Sequence, residues 1–299
     1  MEIARTVADL RMHVAGWRKG GGEIGLAPTM GALHRGHMAL VTAARAECDR
    51  VVASIFVNPK QFAPTEDLGS YPRREAADLE MLRSAGTDLV FIPAVDEMYP
   101  TGFATLIRVS DLTGGLCGAH RAGHFDGVAT VVAKLLIQAQ PDAAYFGEKD
   151  YQQLIVVRRL ARDLDLPVRI VGVETVRDED GLALSSRNVY LSAEERRTAP
   201  NLALVLRSIA SALAQRPAAV ACELARGTAE LERAGLEVEY LEVRDAETLA
   251  PVSAEVTPPS RVFAAVRVGR TRLIDNIPIS MPRPAGGESS EAAHSAGSR

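Results

Sequence analysis

Ile24-Gly25-Leu26-Ala27-Pro28-Thr29-Met30-Gly31-Ala32-Leu33-His34-Arg35-Gly36-His37 is the stretch on which the fold turns. Ile24 to Ala27 is a short apolar run of strand length, Gly31 and Gly36 punctuate the segment after it, and Leu40, Val41 and Ala44 recur at helical spacing. Strand, tight turn and helix in that order open a βα unit. The alternation continues downstream, with β-rich runs at Val51 to Val57, Leu89 to Ile92, Ala143 to Phe146 and Val168 to Val173. Between them Ala76 to Ala85 reads as a helix capped by Gly86, and Val128, Val131, Val132, Leu135, Leu136 and Ala139 form one continuous helical stripe that Pro141 ends. Strands alternating with helices predict a doubly wound α/β domain over residues 1–175. Such a parallel sheet takes its ligands outside the carboxyl ends of its strands.

The pattern changes beyond Arg177. Ser192-Ala193-Glu194-Glu195 has the spacing of a capping box and opens a leucine- and alanine-rich helix, and a second helix runs from about Ala218 to Ala234 before Gly235. Val238 to Val243, Val262 to Val268 and Arg272 to Ile274 then read as strands, the last two joined by a hairpin at Gly269. Residues 176–282 are therefore expected to form a smaller α+β domain with antiparallel strands. Residues 283–299 hold almost no large apolar side chain and cannot offset their ordering entropy, so this tail is expected to be disordered.

Bulk properties narrow the functional classes. The chain has 299 residues, 47% of them hydrophobic and 24% charged, which suits an ordinary globular protein of two domains. A formal charge of -4 without a lysine or arginine run argues against a nucleic-acid partner. Neither a leader-like N-terminus nor a long apolar run is present, so a cytoplasmic protein with no membrane partner is expected. Cys48, Cys117 and Cys222 are far apart and outside any CxxC spacing, which reads as incidental thiols rather than a disulfide or zinc framework.

Three clusters carry chemistry. In the first, Gly31 and Gly36 let backbone approach an anion, the helix start offers N–H groups and a favourable dipole, and His34 and His37 add side-chain donors. Ordinary surface histidines or half of a zinc site are the competing readings, and no convincing further ligands accompany the pair. In the second, Phe146-Gly147-Glu148-Lys149-Asp150-Tyr151-Gln152-Gln153, Lys149 suits a phosphate and Asp150 suits Mg²⁺, directly or through water. In the third, Leu184-Ser185-Ser186-Arg187-Asn188, two hydroxyls and a guanidinium suit phosphate oxygens. Taken singly, the last two read more readily as a solvated charged turn and a polar loop.

Taken together and in order, PTMGALHRGH, SIFVNPKQF, GHFDGVATVV, FGEKDYQQL, DGLALSSRN and RLIDN, spread over residues 22–282, make the chain resemble the pantothenate synthetase family. The resemblance implies a Rossmann-like nucleotidylyl-transferase domain with an HxGH motif, a smaller domain closing over it, a homodimer, and Mg²⁺-dependent condensation of pantoate with β-alanine at the expense of ATP. Carried over by position, Met30, Gly31, Ala32, Leu33, His34, Arg35, Gly36 and His37, together with Gly147, Glu148, Lys149, Asp150, Val176, Leu184, Ser185, Ser186 and Arg187, would line ATP. His37 would be the proton donor. Gln61 and Gln153 would hold pantoate, and Gln61 also β-alanine, with Asn58, Arg121 and His124 in matching segments. Ala122 stands where the family usually has proline, and Cys117 where many members have glutamate.

The implied chemistry is attack of a carboxylate on the α-phosphorus of ATP, which brings anions together. Donors must offset that charge, and His34, His37, Lys149, Ser185, Ser186 and Arg187 are the candidates, while the neutral amides of Gln61 and Gln153 orient pantoate without repulsion. Three other readings stay open at this point. They are an aminoacyl-tRNA synthetase, which shares the H-x-G-H signature, a nucleotidylyl transferase acting on a phosphate ester, and a non-catalytic nucleotide-binding regulator.

Overall fold

The computed structural model describes residues 1–64 and 66–281; the predicted tail, 283–299, lies outside them. In chain order the first part comprises β1 (Glu2–Ala4), α1 (Val7–Lys19), β2 (Ile24–Thr29), α2 (Arg35–Glu47), β3 (Arg50–Ile55), α3 (Glu75–Ser84), β4 (Leu89–Phe91), the one-turn helices α4 (Val95–Met98) and α5 (Cys117–His120), α6 (His124–Ala139), β5 (Ala143–Gly147), α7 (Tyr151–Asp163) and β6 (Arg169–Val173). The second part comprises α8 (Ala193–Thr198), α9 (Asn201–Gln215), α10 (Val220–Arg233), β7 (Glu237–Asp245), β8 (Ser260–Val268) and β9 (Thr271–Ile279).

Six strands pair in the order β1-β4-β3-β2-β5-β6, every pair parallel. From β2 the chain moves outward through β3 and β4 on one side, then returns to place β5 against the other side of β2 and continues to β6. The order reverses between β2 and β5. Loops leaving the carboxyl ends of neighbouring strands diverge there and open a crevice, which is where such sheets bind ligands. The register Gly25↔Ala143 and Leu26↔Ala144 sets the Met30–His34 loop beside the Glu148–Asp150 turn.

Alternation along the strands builds a core on each face. Leu26 and Val52 pack with Val128, Val132, Leu135 and Leu136 of α6, whereas Ala27, Val51 and Ala53 face Leu40, Val41 and Ala44 of α2. Strands buried on both faces read as continuous apolar runs, which is why the sequence shows them so clearly. A third core lies in the second part, where α9 and α10 cover the antiparallel sheet β7-β8-β9.

The structure departs from the sequence reading in particular elements. The sequence reading lacks β1 and α1: a three-residue strand has no measurable period, and α1 buries only Leu10 and Val14, too few for a clear stripe. Ser192 and Glu195 do form a reciprocal capping box, but α8 ends before Pro200 and α9 restarts at Asn201. The hairpin at Gly269 is present, with Val268 opposite Thr271. β9, however, runs on to Ile279 rather than stopping at Ile274, since the polar pair Asp275 and Asn276 is buried by partners distant in sequence. Cys48 and Cys117 are buried and Cys222 exposed, all three as free thiols. No described helix is long and apolar enough to cross a membrane.

Candidate active site

The loop between β2 and α2 is shaped by its own motif residues and by one partner, Asp78, that no motif contains. Gly31 has φ +81° and Ala32 φ 50°, a left-handed pair in which a Cβ on Gly31 would lie 3.0 Å from Asp78 Oδ2. Asp78, buried on α3, accepts the N–H of Ala32 at 2.9 Å and of Leu33 at 2.8 Å. Thr29 Oγ1 accepts Gly31 N and donates to Ser54 O. His34 is the N-cap of α2: its Nδ1 accepts Gly36 N at 3.1 Å, while His37 Nδ1 accepts His34 N at 3.3 Å. Two imidazoles thus form a capping box usually made by Ser and Glu.

This geometry corrects one expectation. The backbone N–H groups of Gly31, Ala32, Leu33, His34, Gly36 and His37 are all engaged within the protein. An anion at this helix start would therefore meet side chains and the N–H groups of Met30 and Arg35, which are not among those engaged. With Nδ1 an acceptor in both rings, each neutral imidazole carries its proton on Nε2. Burial, then the Lys149 charge, pushes His34 down to about 4; burial, then His34 and Lys149, pushes His37 down to about 3. Both rings are neutral at pH 7, and their centroids are 4.1 Å apart.

His34, His37, Met30 and Gly36 line a pocket of about 230 Å³ together with Gly147, Lys149, Asp150, Val176 and the run Leu184 to Arg187. Gln61, Gln153, Asn58, Arg121 and His124 line it too. A wider cleft of about 1220 Å³ adjoins it and shares Arg121, Lys149, Asp150, Ser185 and Arg187. The smaller pocket holds both histidines and is the candidate site. The larger one is the approach between the two parts of the chain. Of the residues singled out in the sequence, Gly31, Ala32, Leu33, Arg35 and Glu148 are not brought to the pocket. Arg35 pairs with Asp178, and Glu148 turns to Arg261.

The amide wall is held from beneath. Asn58 is fully buried; its Nδ2 donates to Gln61 Oε1 and Gly127 O, each at 3.1 Å, and its Oδ1 accepts Tyr99 OH at 2.8 Å. Among the described residues Gln61 Nε2 meets only the thioether of Met30, at 3.1 Å, a weak acceptor. A Cβ on Gly127 would collide with Lys60 O, so glycine is what lets α6 touch the 3-10 turn Pro59–Gln61. Arg121 binds Glu66 bidentately at 2.6 and 2.7 Å and donates to His124 Nε2 at 3.0 Å, leaving His124 Nδ1–H for Gln61 O at 2.8 Å. Burial, then the neighbouring Arg121 charge, pushes His124 down to about 4. Burial would raise Glu66, but the hydrogen bonds and charge of Arg121 outweigh it and hold the carboxyl below its ordinary value.

Opposite these amides stand the cationic donors. Lys149 lies 3.8 Å from Asp150, and Arg187 forks onto Asp67 at 2.9 Å through two nitrogens. Ser186 Oγ donates to Ala32 O at 3.0 Å, and Ser185 Oγ caps the 3-10 turn Ser186–Tyr190. Gln152, beside Gln153, is a buried tie to Leu112, Gly115 and Cys117, so Gln153 is the member of that pair in the pocket. Sequence reasoning missed Asp78, Asp67, Arg177, Asn276 and Arg261. A carboxylate in an otherwise apolar helical face was the one signal for Asp78.

A parallel sheet that gathers imidazoles, a lysine and an arginine against neutral amides at its switch point belongs to an enzyme that manages anionic substrates. The profile of the pantoate-beta-alanine ligase family matches residues 2–278, and the chain belongs to that family of ligases. It is 54% identical over 280 residues to the pantothenate synthetase of Dinoroseobacter shibae (93% of this chain, 99% of the relative) and 56% identical over 280 residues to that of Paramagnetospirillum magneticum (93% and 97%). Among solved structures, a pantothenate synthetase from Thermus thermophilus superposes with a TM-score of 0.89 at 50% identity, covering 94% of this chain and all of that one. The pantoate-beta-alanine ligase of Francisella tularensis, complexed with beta-gamma ATP and beta-alanine, gives 0.80 at 33% identity, covering 93% and 98%.

Proposed function

We propose that the chain condenses pantoate with β-alanine through a pantoyl-adenylate, releasing pyrophosphate and then AMP. The convergence of His34, His37, Lys149 and Ser185 to Arg187 on one pocket with Gln61 and Gln153 carries this reading. ATP would lie along the Met30–His37 loop with its phosphates toward Lys149 and Arg187, and the triphosphate would compete with Asp67 for the Arg187 fork. Pantoate would replace the Met30 thioether on Gln61 Nε2, its carboxylate aimed at the α-phosphorus.

In the first step a pantoate carboxylate oxygen bonds to the α-phosphorus and the bond to the β-phosphate bridge breaks. Nε2–H of His34 and of His37, with Lys149, would donate to the growing charge on the phosphoryl oxygens; each preorganised donor of this kind is typically worth about 3 kcal/mol. Being neutral, His37 acts as a hydrogen-bond donor before it is ever an acid. In the second step the amine of β-alanine attacks the acyl carbon, and the bond to AMP breaks. The mixed anhydride must be kept from water meanwhile, which the second part of the chain, standing over the adjoining cleft, would do.

Mg²⁺ fits this donor set in one way. The described residues contain no group of three or more His, Cys, Asp or Glu placed to hold a metal. Asp150 reaches into the pocket beside Lys149, and Mg²⁺ characteristically binds through one or two carboxylates, substrate phosphates and water. Asp150 would hold it, and it would neutralise phosphate charge. A cytoplasmic homodimer completes the proposal.

Pantoate labelled with heavy oxygen in its carboxylate tests the route. Adenylation transfers one label to AMP and leaves pyrophosphate unlabelled, and ATP–pyrophosphate exchange then requires pantoate. Release of ADP with labelled inorganic phosphate would overturn adenylation, and an adenylyl group retained on the product would indicate a phosphate-ester transferase instead.

A further inference from the structure

Two consecutive residues of β9 hold the two loops that carry the cationic donors. Asn276 is 2% exposed; its Nδ2 donates to Glu148 O at 2.9 Å and Lys149 O at 3.0 Å, and its Oδ1 accepts Arg261 Nε at 2.8 Å. Arg261 in turn stacks on the Tyr151 ring at 4.0 Å and pairs with Glu148 at 3.2 Å. The Glu148–Asp150 turn has no side-chain cap of its own, so its backbone is tied from outside by Asn276.

Asp275, equally buried, accepts both terminal nitrogens of Arg177, at 2.6 and 2.9 Å. Arg177 also donates to Gly181 O at 3.1 Å and pairs in a β-bridge with Ala183, closing the narrow hairpin from which Ser185 to Arg187 emerge. Successive strand residues point to opposite faces, which is how one strand reaches both loops. The separation of Asp275 and Asn276 is fixed by the backbone, so the distance between the two donor loops is referred to a rigid element.

We propose that Asn276 and Asp275 are positioning residues for the phosphate donors, Asn276 setting the Lys149 turn and Asp275, through Arg177, setting the Ser185–Arg187 loop. The proposal rests on the reading of Lys149 and Arg187 as donors to ATP. Donor strength depends on placement, and a misplacement of about 1 Å costs on the order of 10²-fold in rate.

The experiment is a double-mutant cycle read by pantoate-dependent ATP–pyrophosphate exchange, using Lys149→Ala, Asn276→Ala and the double variant, with thermal unfolding to verify folding. Asn276→Ala is expected to lower the exchange kcat by about tenfold or more while leaving the KM for pantoate within about twofold. In the Lys149→Ala background the same change should cost less than about twofold, because the residue acts through the lysine. Asn276→Asp keeps the acceptor for Arg261 but sets a carboxylate oxygen against two carbonyls, and should be as slow as Asn276→Ala. If Asn276→Ala fails to fold, Asn276→Ser, whose hydroxyl reaches one carbonyl only, takes its place in the cycle. Wild-type exchange in Lys149→Ala would overturn the underlying donor reading. A slow Lys149→Ala enzyme combined with a wild-type Asn276 variant, or with losses that multiply in full, would overturn the positioning role alone.

Discussion

His34 and His37 each commit Nδ1 to a backbone N–H of their own helix start, and this fixes which nitrogen faces an anion. The cap and the proposed donor are one group. Replacing His37 or Lys149 by alanine should therefore slow pantoate-dependent exchange by about 10²-fold or more, with far-UV circular dichroism unchanged; near-wild-type rates in both variants would remove the assigned roles. Asp78 acts one layer further back. Its loss frees two part-buried N–H groups, and leaving such donors unsatisfied costs up to about 1–3 kcal/mol each. Asp78→Ala should lower the urea midpoint and raise the KM for ATP, whereas a lower midpoint with unchanged KM would make the carboxylate structural only.

At the level of elements, the site depends on how closely α6 meets the 3-10 turn Pro59–Gln61. Gly127→Ala must push them apart, since the added methyl has backbone on its far side, and overpacking of this kind typically costs about 1–3 kcal/mol. Asn58 then loses its bond to Gly127 O and Gln61 its orientation, so the KM for pantoate should rise more than that for ATP; equal rises would place the damage elsewhere. The elements themselves were legible wherever burial imposed a period, as in the α6 stripe and the apolar strands β2, β3 and β5. β1 was too short to show one, and the far half of β9 was hidden because Asp275 and Asn276, buried on opposite faces, are polar. Likewise the candidate donors could be read from the glycine-punctuated loops that bear them. Asp78, Arg177, Arg261 and Asn276 could not, because each acts on a loop far from it in sequence, and that pairing exists only once the two parts of the chain have packed.

Across the whole molecule, three half-buried neutral imidazoles couple the site to folding. His34, His37 and His124 are held at about 4, 3 and 4, against an ordinary value of 6.5. Well above pH 6.5 neither the native nor the unfolded chain protonates them, and they make stability independent of pH. As the pH falls through 6.5 the unfolded chain takes up protons that the native state refuses, so these groups cost stability progressively until the native pKa values are reached. Each such histidine removes about 1.4 kcal/mol per pH unit well below 6.5, or about 1 kcal/mol between pH 6.5 and 5.5. The three together predict a loss of about 3 kcal/mol over that interval, ahead of the carboxylates Glu66 and Asp67, whose lowered values defer their own loss to more acid pH. ATP opposes the change, since its phosphates favour the protonated rings and its stabilising effect should grow as the pH falls. Urea unfolding at pH 7.5, 6.5 and 5.5 should show a shallow first interval and a steep second one. His124→Asn should remove about a third of the second slope. A wild-type profile flat to pH 5.5 would mean that the native rings titrate as the unfolded ones do, and would overturn the lowered values of all three.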